Sequence, residues 1–314
     1  MTRRHFFFGS LALAACSRAP RARRYNVSVV RAASYSSDLV SLIRRLIAGH
    51  GVAVAGKSIV LKPNLVEFSS HAPANTHPVF VAAVYEAFRS LGARHIRIAE
   101  GPGHRRATLD MAYDAGFFAA VPGFENSFVD LNLDDVSRTP IRNPASSLSH
   151  IYLPNTVLNC DLLVSLPKMK THHWAGATLS MKNLFGVVPG AVYGWPKNVL
   201  HWSGIDECIV DLNTLFPRQF CIVDGIQGME GNGPILGTRN APGVIVAGSH
   251  PPSVDATCCR VMQIDPNRIG YLRLASRRTG WSSTLVDQIG ENIRDVSTPF
   301  ALIPAFRELR LNGA

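Results

Sequence analysis

Short apolar runs separated by amphipathic stretches set the rhythm of this chain. Residues 25–32 read as a first strand. Leu39, Leu42, Ile43 and Leu46 recur at helical spacing and predict a helix to about residue 50, capped by Ser36 or Ser37. Residues 58–61 predict a short buried strand. Thr76, as an N-cap with Pro78 in the first turn, opens a helix to about residue 91. A strand over 96–99 leads through Glu100-Gly101-Pro102-Gly103-His104-Arg105-Arg106 into a helix that Gly116 stops. Residues 128–131 read as a strand and 136–150 as a loop or insertion. A buried strand at 161–166, a helix at 205–215 and a strand at 220–223 follow. The Gly/Asn/Pro-rich run to Asn240 is too long for a simple turn and predicts a functional loop. A strand at 244–247 and helices at 253–262 and 269–276 complete the pattern.

Strands alternating with helices predict an α/β fold: a mainly parallel sheet flanked by helices, built either as one unit or as two α/β subdomains with a site between them. In a parallel sheet the carboxyl ends of the strands share one edge, where ligands bind. Lys62 (followed by Asn64), Glu100, Lys168 and Asp224 each fall at the carboxyl end of a different predicted strand. Their side chains are expected to converge. The densest chemistry follows strand 161–166: Lys168, Lys170, Thr171, His172, His173 and Trp174, then Lys182 and Asn183, closed by Gly186, Pro189 and Gly190. Lys62, Lys168, Lys170 and Lys182 suit a phosphate or carboxylate ligand. Asp224 and Glu230 either balance that charge, orient a lysine or bind a metal. The Gly101-Pro102-Gly103 turn offers backbone N–H groups to an anion. Trp174, Tyr193, Trp195 and Trp202 either wall the pocket or pack between elements.

Composition narrows the class. Hydrophobic residues form 46% of the 314, enough for a sizeable core, and mean hydropathy is +0.10. Residues 1–16 carry Thr2-Arg3-Arg4-His5-Phe6-Phe7 and then a short apolar stretch, which resembles a twin-arginine export signal. Leu13-Ala14-Ala15-Cys16 resembles a lipobox, so Cys16 is expected to carry lipid. The stretch is too short to cross a bilayer core of about 30 Å. Residues 17–24, with Arg18, Arg21, Arg23 and Arg24, form a basic tether suited to anionic headgroups. These features predict an exported, lipid-anchored protein of the cell envelope or periplasm, with its domain over 25–300 and a tail at 301–314. Part of the formal charge of +10 belongs to signal and tether. No basic–aromatic repeat or zinc-finger spacing points to nucleic acid. The other five cysteines lack a Cys-x-x-Cys spacing, which argues against an iron–sulfur cluster and a structural zinc site.

Several motifs together resemble the family known as domain of unknown function 362, over roughly residues 25–275. They are Lys62-Pro63-Asn64, Thr76-His77-Pro78, Glu100-Gly101-Pro102-Gly103, Lys168-Met169-Lys170-Thr171-His172, Lys182-Asn183-Leu184-Phe185-Gly186, and Asp224-Gly225 with Met229-Glu230-Gly231-Asn232-Gly233-Pro234. That family is defined by sequence and implies no particular reaction. A remoter resemblance is to nickel-dependent lactate racemase, whose motif order is followed by Gly103-His104-Arg105, His172 or His173 with Ala175-Gly176, Lys182, Pro189-Gly190 and His201. It implies that His104 and His172 form an acid/base pair, that Lys182 tethers a nickel-pincer nucleotide, and that His201 ligates the metal. The chain departs from that pattern at Leu179-Ser180-Met181, where the racemases carry a Gly pair, and His173 competes with His172 for the match.

Two functions fit these residues. One is an envelope-anchored enzyme that transfers a proton beside the carboxylate of a small anionic substrate, isomerase- or lyase-like, with a nickel-pincer nucleotide, another divalent metal, or neither. The other is a non-catalytic lipoprotein that captures an anion or cofactor with the same lysines. The expected partners are the anionic ligand, the membrane through the N-terminal lipid, and the twin-arginine export machinery.

Overall fold

The computed structural model describes residues 23–36, 38–68, 72–103 and 106–311. Cys16, the export signal, His104 and Arg105 lie outside the described residues. The strands are, in order, β1 (Tyr25–Arg31), β2 (Ser58–Pro63), β3 (His95–Glu100), β4 (Phe128–Asp130), β5 (Val136–Pro140), β6 (His150–Pro154) and β7 (Leu162–Leu166). They continue as β8 (Lys168–His172), β9 (Gly176–Thr178), β10 (Gln219–Asn232), β11 (Leu236–Asn240), β12 (Val244–Gly248) and β13 (Val286–Gly290).

The main sheet runs β13-β1-β12-β10-β7-β2-β3-β4, with β11 and β8 pairing with β10, and β9 with β8. From β10 through β7, β2 and β3 to β4 every neighbour is parallel, while β12 is antiparallel to both β10 and β1. The sheet is therefore mixed but mostly parallel, the expected α/β class.

Alternation along the central strands explains the layers. Ile59 and Leu61 of β2, Val164 of β7 and Ile222 of β10 pack on one face with helices Leu39–Gly49 and Pro78–Ser90. Val60, Leu163 and Val223 point to the other face, as a two-residue period requires. There they meet helices Ile205–Leu215, Pro251–Val261 and Gly270–Thr279. Cys258 and Cys259 are free thiols buried in that second layer. Among the described residues no helix is long and apolar enough to cross a membrane.

The chain differs from expectation where polar residues are claimed by tertiary partners. Thr76 does not cap its helix. Its buried hydroxyl accepts from the Asn64 N–H and donates to the Leu166 carbonyl, while His77 takes the N-cap position and accepts from Val79 N–H through Nδ1. Asp38 rather than Ser36 precedes the first helix, without a side-chain cap bond. The 136–150 segment is not a plain loop, because β5 and β6 form an antiparallel pair within it. The 225–240 run is a hairpin of β10 and β11, not a free loop. The Lys-Met-Lys-Thr-His run is itself a strand, β8, buried at every position.

Candidate anion-binding cavity

The four charged residues predicted at strand ends do converge, but as two self-contained pairs. Lys62 Nζ lies 2.6 Å from Glu100 Oε2 and also donates to the Pro63 carbonyl and Asn183 Oδ1. Glu100 is completed by N–H groups of Leu65 and Gly101. Gly186 is packed so closely against this pair that a Cβ there would strike both side chains, which explains a glycine ending the Lys182-Asn183-Leu184-Phe185-Gly186 motif. Lys168 Nζ lies 2.6 Å from Asp224 Oδ2, whose carboxylate also accepts from Tyr35 Oη and the His77 N–H. Burial pulls both lysines below their ordinary pKa while the carboxylates pull them back up. Each pair satisfies its own charges.

Beside them opens a cavity of about 570 Å³. It is lined by Asn64, Glu100, Lys170, His172, Lys182 and His201 from the predicted set, and by His173, Trp174, Thr178 and Lys197 among others. Three of these are lysines that, among the described residues, form no ion pair. Lys170, fully buried, donates only to the Ala74 and Pro234 carbonyls. Its pKa is driven well down by burial and then by Lys182 and Lys168. Lys182 carries no hydrogen bond among the described residues; its Nζ sits 4.3 Å from the Phe185 ring centre, and burial lowers its pKa to about 8. Lys197 donates to the Gly101 carbonyl, and burial lowers it to about 7.

The imidazoles take complementary tautomers. His172 Nδ1 accepts from the N–H groups of Trp174 and Ala175 at 3.0 and 3.2 Å, so the ring proton belongs on Nε2. His173 Nδ1 donates to the Gly233 carbonyl at 2.7 Å, so Nε2 keeps its lone pair. The rings stack with centroids 4.9 Å apart. Burial, then Lys182, holds His172 well below the ordinary imidazole pKa, and the same causes bring His201 to about 4. Three polar atoms of the wall, Asn64 Oδ1, Thr178 Oγ1 and His201 Nδ1, are buried without a hydrogen-bond partner among the described residues, which a native interior seldom leaves so.

Several predicted ligand groups are corrected by this geometry. Lys62, Lys168 and Asp224 do not line the cavity because their charges are consumed in the pairs. Glu230 is elsewhere too, accepting from Asn240 Nδ2 and the Ala301 N–H to fasten the β10–β11 hairpin. Glu100 reaches the wall already saturated. The Gly101 N–H predicted to meet an anion is taken by Glu100 Oε1. Sequence reasoning missed Lys197 and Thr178. Lys197 follows Trp195-Pro196 in a segment without periodicity, where only the aromatic cluster offered a signal.

A thylakoid-associated protein of Synechocystis sp. is 27% identical over 278 residues, 83% of this chain and 82% of its own length. The fold is similar to the lactate racemase apoprotein of Thermoanaerobacterium thermosaccharolyticum, at 12% identity and TM-score 0.48 over 76% of this chain. It is also similar to a protein of Thermotoga maritima, at 13% identity and TM-score 0.45 over 79% of this chain. The chain spans 57% and 60% of the lengths of those two structures. The Domain of unknown function (DUF362) family matches residues 59–260, and the chain belongs to that family.

Proposed function

We propose that this protein is an enzyme that binds a small anion in the cavity and transfers a proton on it, as an isomerase or lyase does. The observation that carries this is the set of three lysines, Lys170, Lys182 and Lys197, that have no carboxylate partner among the described residues, beside two imidazoles of opposite tautomer. A buried ammonium with no counter-ion is costly, and an anionic ligand relieves that cost. With the ligand's carboxylate held by lysine, His173 Nε2 serves as the base that takes the proton from the adjacent carbon. His172 Nε2–H donates to the charge that develops, with lysine beside it. Return of a proton from a second acid, the role the racemase resemblance gives to His104, makes the enzyme an isomerase; loss of a leaving group from the next carbon makes it a lyase.

A metal or cofactor is part of the same proposal. Among the described residues no three metal-ligating side chains gather to cage a bare divalent ion. The wall fits a nickel-pincer nucleotide in two respects: Lys182, whose amine has no hydrogen bond among the described residues, would tether it, and His201, whose Nδ1 has no partner among them, would ligate its metal. When bound it would supply an electron sink beside the substrate and leave Lys170 and Lys197 for the anion; in protein without it, Lys182 stands with them as a third ammonium for the anion. Export and anchoring through lipidated Cys16 complete the proposal; the thylakoid association in the cyanobacterial relative's name supports a membrane setting.

The test is solvent exchange. Protein purified from its native envelope is incubated with a panel of 2-hydroxy carboxylates in ²H₂O, and mass spectrometry follows deuterium at the carbon beside the carboxylate. Incorporation that is lost in His173→Gln and Lys182→Gln supports the enzyme. Binding without incorporation leaves a capture lipoprotein and overturns it. An added mass on Lys182 with stoichiometric nickel tests the cofactor, and a lipid mass on Cys16 tests the anchor.

A further inference from the structure

The lining of the cavity runs from fully buried to exposed: Lys170 and Lys197 are 0% and 3% exposed, whereas Trp174 and Leu236 are 57% and 76% exposed. Most of the surface the lining presents to the cavity is apolar, with Leu65, Phe185, Pro234 and Ile235 among the residues that supply it, beside the lysines and imidazoles. A volume of about 570 Å³ is what encloses a drug-sized ligand. A carboxylate with two or three carbons fills a small part of it and leaves the outer wall against water.

Resting on the anion-binding function proposed above, we infer that the ligand is an amphiphilic carboxylate. Its anionic head meets the buried lysines, and its alkyl body runs outward past Phe185 and Ile235 to Trp174 and Leu236. The lysines set the charge of the head; the length of the apolar wall sets the preference for the tail. A fully polar anion of the same charge forgoes the burial of the outer wall, which is the larger part of the lining.

The test is a calorimetric series of straight-chain alkanoates from acetate to decanoate, below their micelle concentrations, with full-length protein carrying Cys16→Ala to prevent lipidation. The expected result is a Kd that falls about three- to fourfold with each added methylene until the mouth is reached. Trp174→Ala and Leu236→Asp are expected to flatten the long-chain end of the series. Lys182→Gln is expected to weaken every member by a similar factor and keep the slope. Acetate bound as tightly as octanoate overturns the inference while leaving anion binding intact. Absence of binding across the whole series overturns the anion-binding function as well.

Discussion

Replacing Glu100 by Gln tests whether the charged residues at the strand ends hold the fold or the ligand. Lys62 and Glu100 are 0% and 1% exposed, and the carboxylate serves three donors: Lys62 Nζ, Leu65 N–H and Gly101 N–H. Gln keeps the shape but offers one carbonyl, so its NH₂ is forced against a backbone donor while the Lys62 ammonium loses its counter-ion. Breaking a buried pair from one side costs about 3–5 kcal/mol. With an unfolding entropy of roughly 2.1 cal/mol/K per residue, that corresponds to a fall in Tm of about 5–8 °C for a chain of this size. Calorimetric melting and urea titration read both quantities. The double variant Lys62→Met, Glu100→Leu is expected to recover most of the loss, because no charge is then stranded. A Glu100→Gln variant within about 0.5 kcal/mol of the parent, the range of an ordinary surface substitution, would refute the assignment.

Lys182→Met is expected to raise stability at neutral pH by about 3 kcal/mol, since the ammonium is buried with a pKa near 8 against 10.5 unfolded. The unfolded chain binds the extra proton between those values, so the parent gains stability as pH rises through that window. The gap between variant and parent therefore closes above it, as denaturation at stepped pH will show. Lys182→Gln is expected to weaken carboxylate binding roughly ten- to hundredfold, the loss of one charge-assisted hydrogen bond, measured by calorimetry. His172→Asn is expected to keep the turn, because the amide oxygen replaces Nδ1 as acceptor for the Trp174 and Ala175 N–H groups. Its melting temperature stays within a few degrees while solvent exchange into substrate falls by about 10²-fold or more. Gly186→Ala is expected to destabilise by several degrees through its collision with Glu100 and Lys62.

The sheet was legible because its strands are apolar runs at parallel-sheet burial, and the strand ends identified the edge that carries chemistry. The helix over Ile205–Leu215 matched its pattern residue for residue, since its apolar spacing and Leu/Ile content agree with its environment. What periodicity does not encode is the fate of a charge. Lys62 and Lys170 are both strand lysines, yet one finds Glu100 and the other only carbonyl groups. That difference depends on crossovers that bring residues 38 positions apart to one point for Lys62 and Glu100. The β10–β11 hairpin has the sequence pattern of a loop because glycines within it mask the strand alternation. Its Gly233 and Gly237 press against the Thr171 carbonyl and the Glu230 carbonyl, where no side chain fits. Lys197 was invisible for a different reason, lying in a left-handed backbone conformation outside any repeat.

Proton-linked calorimetry tests the central claim, that unpaired buried lysines wait for an anion. At about pH 9 the free protein holds Lys182 and Lys197 largely neutral, with pKa values near 8 and 7, and a bound carboxylate pulls them up. Octanoate is titrated into the protein in two buffers of different ionisation enthalpy. The account predicts uptake of about one to two protons on binding and an affinity that falls as pH rises from neutrality. Binding heats identical in the two buffers, with an affinity indifferent to pH, would contradict it.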